Sequence, residues 1–115
     1  MISTATEADK AQITDITTRA GVFSQEEIDS VPVMFDEYLQ YGTGGDGYHF
    51  IVYRENDQVL GYAIFGYHDL TDGVYDLYWI AVDPNAHRKG VVRALITACE
   101  EAVRAIGGRI LIAET

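Results

Sequence analysis

The 115-residue sequence has little cysteine, few basic side chains and no long apolar run. Its one cysteine, Cys99, cannot form an internal disulfide, which is the usage expected in a reducing cytoplasm. No apolar run approaches the roughly 18 residues that a membrane-spanning helix needs. The first residues also lack the basic and apolar regions of a secretory signal. We therefore predict one cytoplasmic globular domain over residues 1–115.

Basic residues are scarce and unevenly distributed. Eight lysines and arginines stand against eighteen aspartates and glutamates, a formal net charge of −10, which disfavours binding to nucleic acid and to anionic membranes. Residues 88–115 nevertheless carry five of the eight basic side chains, and Arg88, Lys89 and Arg93 lie within six positions. This cluster indicates either an anion site or a solvated basic turn.

Hydrophobic periodicity predicts the element order β-α-α-β-β-β-α-β, an α/β sheet fold. Pro32 predicts a kink or two short helices within the second helical segment. The last strand–helix–strand unit is expected to be a right-handed crossover between parallel strands. The predicted strands are 2–5, 49–53, 59–67, 74–82 and 109–113, and the predicted helices are about 6–20, 24–41 and 88–106.

The connection between strand 74–82 and helix 88–106 has the features of an anion site. A helix N-terminus presents free N–H groups and partial positive charge, and the basic cluster surrounds this one. A phosphate group fits such a site. The residues expected on the inward face of the helix are Val92, Leu95, Ile96, Cys99, Val103 and Ile106.

The segment Trp79-Ile-Ala-Val-Asp-Pro84, followed by Gly90, resembles the acetyl-CoA-binding motif of GNAT-type N-acetyltransferases. In that family a strand ending in V-x-P is followed by R/Q-x-x-G-x-G/A at a helix start. Val82 to Pro84 matches the first part and Gly90 the first glycine, whereas His87 and Val92 depart from the pattern at the Arg/Gln and second Gly/Ala positions. The resemblance covers essentially the whole chain and implies a GNAT-like mixed central sheet.

The resemblance implies an N-acetyltransferase that uses acetyl-CoA as co-substrate and a primary amine of a small molecule or peptide as acceptor. Backbone groups of the strand would bind the pantetheine arm as an added strand, and N–H groups at the helix start would bind the pyrophosphate. The cofactor-binding residues implied are Ile80, Ala81, Val82, His87, Arg88, Lys89, Gly90, Val91, Val92 and Arg93.

Asp76 and Tyr78 are the candidate catalytic residues. Strand alternation places Asp76 on one face with Tyr78, Ile80 and Val82. The resemblance matches Asp76 to the position where histone-acetylating relatives carry a carboxylate general base, and Tyr78 is expected to line the acceptor pocket. A solvated strand aspartate with no catalytic role is the alternative for Asp76.

The resemblance also has a C-terminal limit. The family normally continues with a helix, which usually supplies a tyrosine general acid, and with two more strands, whereas this chain stops at Thr115. We therefore expect a truncated domain with slow or undetectable transfer; a non-catalytic binding module or an inactive fragment is the alternative. Strand 109–113 is apolar and ends the predicted sheet, which predicts a homo-oligomer, such as a dimer, formed through that strand.

The histidines and the cysteine are not predicted to form a functional site. His49, His68 and His87 lack the spacing of metal ligands, so no metal site is predicted. Cys99, on the inward helix face, is expected to be a core residue rather than a nucleophile.

Overall fold

Five strands form one sheet whose spatial order follows the chain. The computed structural model describes residues 1–41, 48–67, 73–86, 90–108 and 110–113. The strands are β1 Ile2–Thr4, β2 Tyr48–Glu55, β3 Gln58–Tyr67, β4 Val74–Val82 and β5 Ile110–Ala113. The helices are α1 Lys10–Arg19, α2 Gln25–Tyr41 and α3 Val91–Ala105, with 3-10 turns at Glu7–Asp9 and Pro84–Ala86.

The sheet is mixed. Strands β1 to β4 pair antiparallel, and β5 pairs parallel to β4 after the crossover through α3. The tight turn between β2 and β3 uses Asn56 and Asp57, whose φ angles of 52° and 65° are left-handed values that these residue types tolerate. The predicted α/β order β-α-α-β-β-β-α-β is confirmed.

Each face of the sheet packs against helices. On one face, α1 and α2 bury a cluster that includes Ile16, Phe35 and Tyr62. On the other, α3 buries a cluster that includes Phe65, Leu95 and Cys99. We call these the α1–α2 face and the α3 face. Within the described ranges, no helix combines the length and the apolar character needed to cross a membrane.

Pro32 does not divide the second helix. Helix α2 runs without interruption from Gln25 to Tyr41, so the expectation of two short helices is wrong. Its first turn is capped, because the Glu27 N–H donates to Ser24 Oγ at 3.1 Å and the Ser24 N–H donates to Glu27 Oε1 at 2.8 Å. Burial of Val31, Phe35 and Tyr38 adds packing that offsets the missing N–H of Pro32.

The buried side chains of α3 begin at Val91, one residue before Val92, where the predicted inward face begins. Val91, Leu95, Cys99 and Val103 are buried. Val92, Ile96 and Ile106 are 41%, 37% and 40% exposed, so their assignment to the core is wrong. The small residues Ala98 and Ala102 pack against the same cluster and shift the centre of the stripe. Cys99 is a core residue as expected, and burial raises the pKa of its thiol to about 12.

A buried carboxylate joins β2 to the segment before α1. Asp9 is 1% exposed, and Arg54 donates from Nη1 and Nη2 to its two oxygens at 2.6 and 2.9 Å. The Thr6 N–H donates to Asp9 Oδ2 at 2.8 Å. The hydrogen bonds from Arg54, assisted by those from Thr6, hold the pKa of Asp9 below its ordinary value although burial opposes them.

Candidate functional site

Strand β4 pairs with β5 along its first half. Residues Val74–Leu77 of β4 pair with Ile110–Ala113 of β5. Further along β4, Ile80–Val82 pair with Gly61–Ala63 of β3, on the other side of the strand. Among the described residues, no strand lies beside Ile80–Val82 on the β5 side. Backbone groups at such an edge can pair with an extended ligand as an added strand.

A β-bulge at Tyr78 interrupts the alternation of β4. Ile64 pairs with Trp79, and the next residue of β3, Phe65, pairs with Leu77, so Tyr78 is the extra residue on β4. An extra residue changes which face the following side chains take. Trp79 accordingly packs against the α1–α2 face, although Leu77, two residues earlier, packs on the α3 face.

The bulge divides the candidate site residues between the two faces of the sheet. Ile80 and Val82 belong to the α3-face cluster, as does Leu77. Asp76 precedes Leu77 in the regular part of the strand and therefore takes the α1–α2 face. The predicted common face of Asp76, Tyr78, Ile80 and Val82 is wrong, because regular alternation does not continue through a bulge.

Tyr78 lies on the α1–α2 face with Asp76. The residue is 43% exposed, and its ring meets the ring of Tyr48 at a centroid distance of 5.7 Å and an interplanar angle of 67°. Tyr48 in turn packs against the α1–α2 cluster. The Tyr78 ring covers Gly66 so closely that a Cβ there would lie 2.7 Å from Tyr78 Cε2. Glycine at this position thus allows the Tyr78 side chain to approach β3 closely.

The connection between α1 and α2 covers the next part of β4. The ring of Phe23 lies 5.2 Å from that of Trp79, measured between centroids. Trp79 Nε1 donates to the hydroxyl of Tyr62 at 3.0 Å, and that hydroxyl also hydrogen-bonds to Thr17 on α1. These contacts attach α1 and the residues after it to β4, beside the surface that carries Asp76 and Tyr78.

Asp83 anchors the segment that leaves β4 for α3. It is 3% exposed, and Arg19 donates to its carboxylate from Nη1 at 3.1 Å and from Nη2 at 2.8 Å. The N–H of Asn85 donates to the same carboxylate at 2.9 Å. The hydrogen bonds to Asp83 and Asp15 raise the pKa of Arg19, so the guanidinium stays charged. The ion pair joins the end of α1 to the start of the predicted cofactor-binding connection.

Helix α3 begins close to the sheet. Its N-cap, Gly90, has a left-handed φ of 72°, and nothing would contact a Cβ there. Val91 packs over Gly61, where a Cβ would lie 2.8 Å from Val91 Cγ1. Val92 and Arg93 face outward instead, so the branched side chain of Val92 lies on the accessible side of the first turn.

Part of the predicted site lies outside the described residues. His87, Arg88 and Lys89 lie outside the described residues, as do His68 and residues 42–47. In the ranges that are described, no group of three or more histidine, cysteine, aspartate or glutamate side chains is arranged to hold a metal ion. Arg19 and Tyr48 are not among the predicted site residues, and the fold brings them to Asp83 and Tyr78 from distant segments.

Comparison with known proteins gives one family. A sequence model of the acetyltransferase (GNAT) family matches residues 11–115. No curated protein matches the chain. A crystal structure from Desulfovibrio desulfuricans, assigned to the acetyltransferases of the GNAT family, is 37% identical with a TM-score of 0.91, and the match covers 100% of this chain and 72% of that one.

Two further structures share the fold. An N-acetyltransferase from Staphylococcus aureus Mu50 is 25% identical with a TM-score of 0.77, covering 98% of this chain and 71% of that one. A GNAT family acetyltransferase from Brucella melitensis, in complex with acetyl-CoA, is 22% identical with a TM-score of 0.77, covering 100% and 76%. The GNAT-like fold implied by the sequence is confirmed, and the chain belongs to the GNAT acetyltransferase family.

Proposed function

We propose that this chain is an acetyl-CoA-dependent N-acetyltransferase that acts on a primary amine of a small molecule or a peptide. The observation that carries the proposal is the backbone edge at Ile80–Val82, beside which the described residues place no strand on the β5 side, in a GNAT-family chain whose strand β4 also carries the Asp76 carboxylate. The complex of the Brucella melitensis relative with acetyl-CoA supports the co-substrate.

The residues present fit acetyl-CoA in three parts. The edge of Ile80, Ala81 and Val82 is suited to hydrogen-bond an extended pantetheine arm. The N–H groups of Gly90 to Arg93 belong to the N-terminus of a 15-residue helix, which favours an anion such as the pyrophosphate. The basic side chains of Arg88, Lys89 and Arg93 add positive charge to an otherwise acidic chain.

Acetyl-CoA supplies an activated acetyl thioester at this site. Asp76 acts as the general base and accepts a proton from the acceptor ammonium at its carboxylate. In the transfer, the amine nitrogen forms a bond to the acetyl carbon and the carbon–sulfur bond breaks. The sulfur keeps the electron pair of the broken bond and takes a proton from solvent to give the CoA thiol, while the nitrogen releases its second proton to solvent as the amide forms. Tyr78 lines the acceptor side of this region.

Two expectations from the sequence stay predictions. The first is self-association through strand 109–113, of which the structure describes the backbone of Ile110–Ala113 in a single chain. The cytoplasmic location rests on cysteine usage and on the lack of a signal pattern at the N-terminus.

Exchange of Asp76 for asparagine tests the proposal. We expect the wild-type chain to acetylate a simple primary amine slowly in the presence of acetyl-CoA, because the residues of the sequence include no general acid matched to that of the family. Asp76→Asn should lower kcat by about 100-fold, because the amide cannot accept the proton. Its Kd for acetyl-CoA should stay within about twofold, since Asp76 lies on the face opposite to the side chains of Ile80 and Val82. Acetylated product is measured by mass spectrometry and the Kd by calorimetry.

Asp29→Asn is the matched control, because Asp29 is an exposed aspartate on α2, and its transfer rate should equal that of wild type. Absence of acetylated product from wild-type protein with any primary amine tested would contradict the proposed activity. Equal losses of rate and of acetyl-CoA affinity in Asp76→Asn would show that Asp76 has a structural role.

A further inference from the structure

A cavity of about 170 Å³ lies between the α3 face of the sheet and the last turn of α3. Its lining consists mainly of carbon atoms. Among the described residues, none of those that line the cavity carries a carboxylate, an ammonium or a guanidinium group. The lining includes His49, Ile51 and Phe65 from the sheet and Ala102, Ala105 and Ile106 from the end of the helix segment.

Small side chains at the end of α3 leave this space unfilled. Leu95 and Cys99, earlier on the helix, are 0% exposed and pack fully against the α3-face cluster. Ala102 and Ala105 have only a methyl group to extend towards the sheet. An apolar cavity costs stability in proportion to its volume, and a ligand that fills it supplies the contacts that the lining atoms lack.

The cavity has a buried floor and a mouth at the solvent. Phe65 and His49 are 1% and 4% exposed, so they belong to the floor. Ile106 is 40% exposed, and Ala105 is also exposed, so these two residues lie at the mouth. A small molecule can therefore reach the floor past the end of α3.

The floor favours an aromatic ring. His49 and Phe65 stack with their ring centroids 4.6 Å apart and an interplanar angle of 8°. An aromatic ligand can add an offset or edge-to-face contact to such a pair, which stabilises the complex beyond the apolar area that it buries.

The volume and the lining limit the ligand further. An apolar cavity of about 150 Å³ in another protein stays dry and binds benzene, so this cavity has room for one ring with a short substituent. An ionised group would lose its hydration here without a group of opposite charge to replace it. The ligand that fits is thus small, aromatic and uncharged.

We propose that this cavity is a second ligand site, which binds an uncharged molecule with a single aromatic ring. It is distinct from the proposed acetyl-CoA region, because Val91 and Ala102 lie about 16 Å apart along the axis of α3. The site goes beyond acetyl transfer and does not depend on it.

The test is an NMR titration of the isotope-labelled chain with toluene and with benzoate, without acetyl-CoA. Toluene should bind at least about tenfold more tightly than benzoate, because the carboxylate would be desolvated. The amide signals of Ile51, Ala102 and Ala105 should shift most. Toluene should also raise the midpoint of thermal unfolding, since it binds the folded state.

Ala102→Leu fills the cavity from the helix side and should weaken toluene binding at least about tenfold. Ala98→Leu is the matched control, because Ala98 packs against the same cluster one turn earlier and is not among the described lining residues. Its Kd for toluene should stay within about twofold of the wild-type value.

Ala105→Leu narrows the mouth from an exposed position, so it tests the site even if Ala102→Leu does not fold. It should weaken toluene binding about fivefold. Thr97→Leu, at another exposed position of α3, is its control and should bind toluene as wild type does. Thermal unfolding shows that each variant is folded at the titration temperature.

The outcomes decide this proposal separately from the proposed function. No detectable toluene binding by wild type, equal affinities for toluene and benzoate, or an unchanged toluene affinity in folded Ala102→Leu or Ala105→Leu would each overturn it. Toluene shifts confined to Ile80–Val82 would also overturn it, because the ligand would then lie in the proposed cofactor region. Since no acetyl transfer is measured, failure of the cavity site leaves the proposed activity unaffected.

Discussion

An Arg19→Met variant is expected to bind acetyl-CoA about tenfold more weakly than wild-type protein, although Arg19 lies on α1. Arg19 donates two hydrogen bonds to the buried Asp83 carboxylate, at 3.1 and 2.8 Å. Asp83 begins the segment that leads from β4 into the start of α3. Loss of the guanidinium leaves a buried carboxylate with less compensation, so we expect this segment to shift towards solvent. The helix-start N–H groups would then be misplaced for a phosphate.

Asp15→Asn is the control for this prediction. Asp15 accepts a hydrogen bond from Nε of the same guanidinium at 2.7 Å, but its side chain is 60% exposed. Exchange of Asp15 leaves the contact between Arg19 and Asp83 intact, so the Kd for acetyl-CoA should stay within about twofold of the wild-type value. Arg19→Lys keeps the charge without the two-pronged geometry and should give an intermediate Kd. An unchanged Kd in folded Arg19→Met, measured by calorimetry, would contradict the positioning role.

The free energy of unfolding of an Arg54→Met variant is expected to lie about 2 kcal/mol below that of wild type at pH 7. This expected loss of stability is smaller than the loss for a fully enclosed ion pair, because 23% of the Arg54 side chain is exposed, although only 2% of the Asp9 side chain is. Methionine preserves much of the packing of the arginine stem and removes both hydrogen bonds to the carboxylate.

This difference should shrink as the pH falls. In wild type, the pKa of Asp9 in the folded state is below its ordinary value of 3.8. The ion pair of Asp9 with Arg54 therefore stabilises the fold fully above pH 3.8, and this stabilisation is lost as the pH falls through the lower folded-state pKa. Without Arg54, burial raises the pKa of Asp9 with less opposition, and the folded variant takes up its proton at a higher pH. Urea unfolding at pH 7 and at pH 3 measures the difference in the free energy of unfolding between wild type and Arg54→Met at each pH.

Lys10→Met is the control for the Arg54 experiment. Lys10 forms an ion pair with Asp36 at 2.7 Å, but the two side chains are 40% and 61% exposed. Its exchange should change the free energy of unfolding by less than about 0.5 kcal/mol. A gap for Arg54→Met that stays constant from pH 7 to pH 3 would show that the Asp9 carboxylate does not carry the effect.

Local sequence signals predicted much of the fold. The turn at Asn56 and Asp57 follows the predicted strand 49–53, and these two residue types adopt the left-handed conformation that a tight hairpin needs. The predicted helix over residues 24–41 begins where the structure has the capping box of Ser24 and Glu27, a pattern that four consecutive residues contain. These features depend on a few neighbouring residues, so a single sequence contains the information.

The errors arose where the deciding contact is distant in sequence. The bulge at Tyr78 depends on pairing with β3 and on the lack of a side chain at Gly66. The position of the buried stripe on α3 depends on how closely Val91 can approach Gly61. Neither contact has a signal within its own segment.

The candidate site divides in the same way. The motif from Val82 to Gly90 indicated the cofactor region, since its residues are consecutive in the chain. Arg19 lies 64 residues from Asp83, and Tyr48 lies on a different strand from Tyr78, so no spacing rule connects either pair. Both partners emerge only when the sheet and α1 are assembled.

The central claim is that acetyl-CoA binds along β4 and at the start of α3. The most direct test is an NMR titration of the isotope-labelled chain with acetyl-CoA and, separately, with pantetheine. We expect the largest amide shifts at Ile80–Val82 and Val91–Arg93 with acetyl-CoA, and binding of pantetheine that is weaker by about tenfold because it lacks the pyrophosphate. Equal affinities for the two ligands, or acetyl-CoA shifts confined to residues away from β4 and α3, would contradict the account.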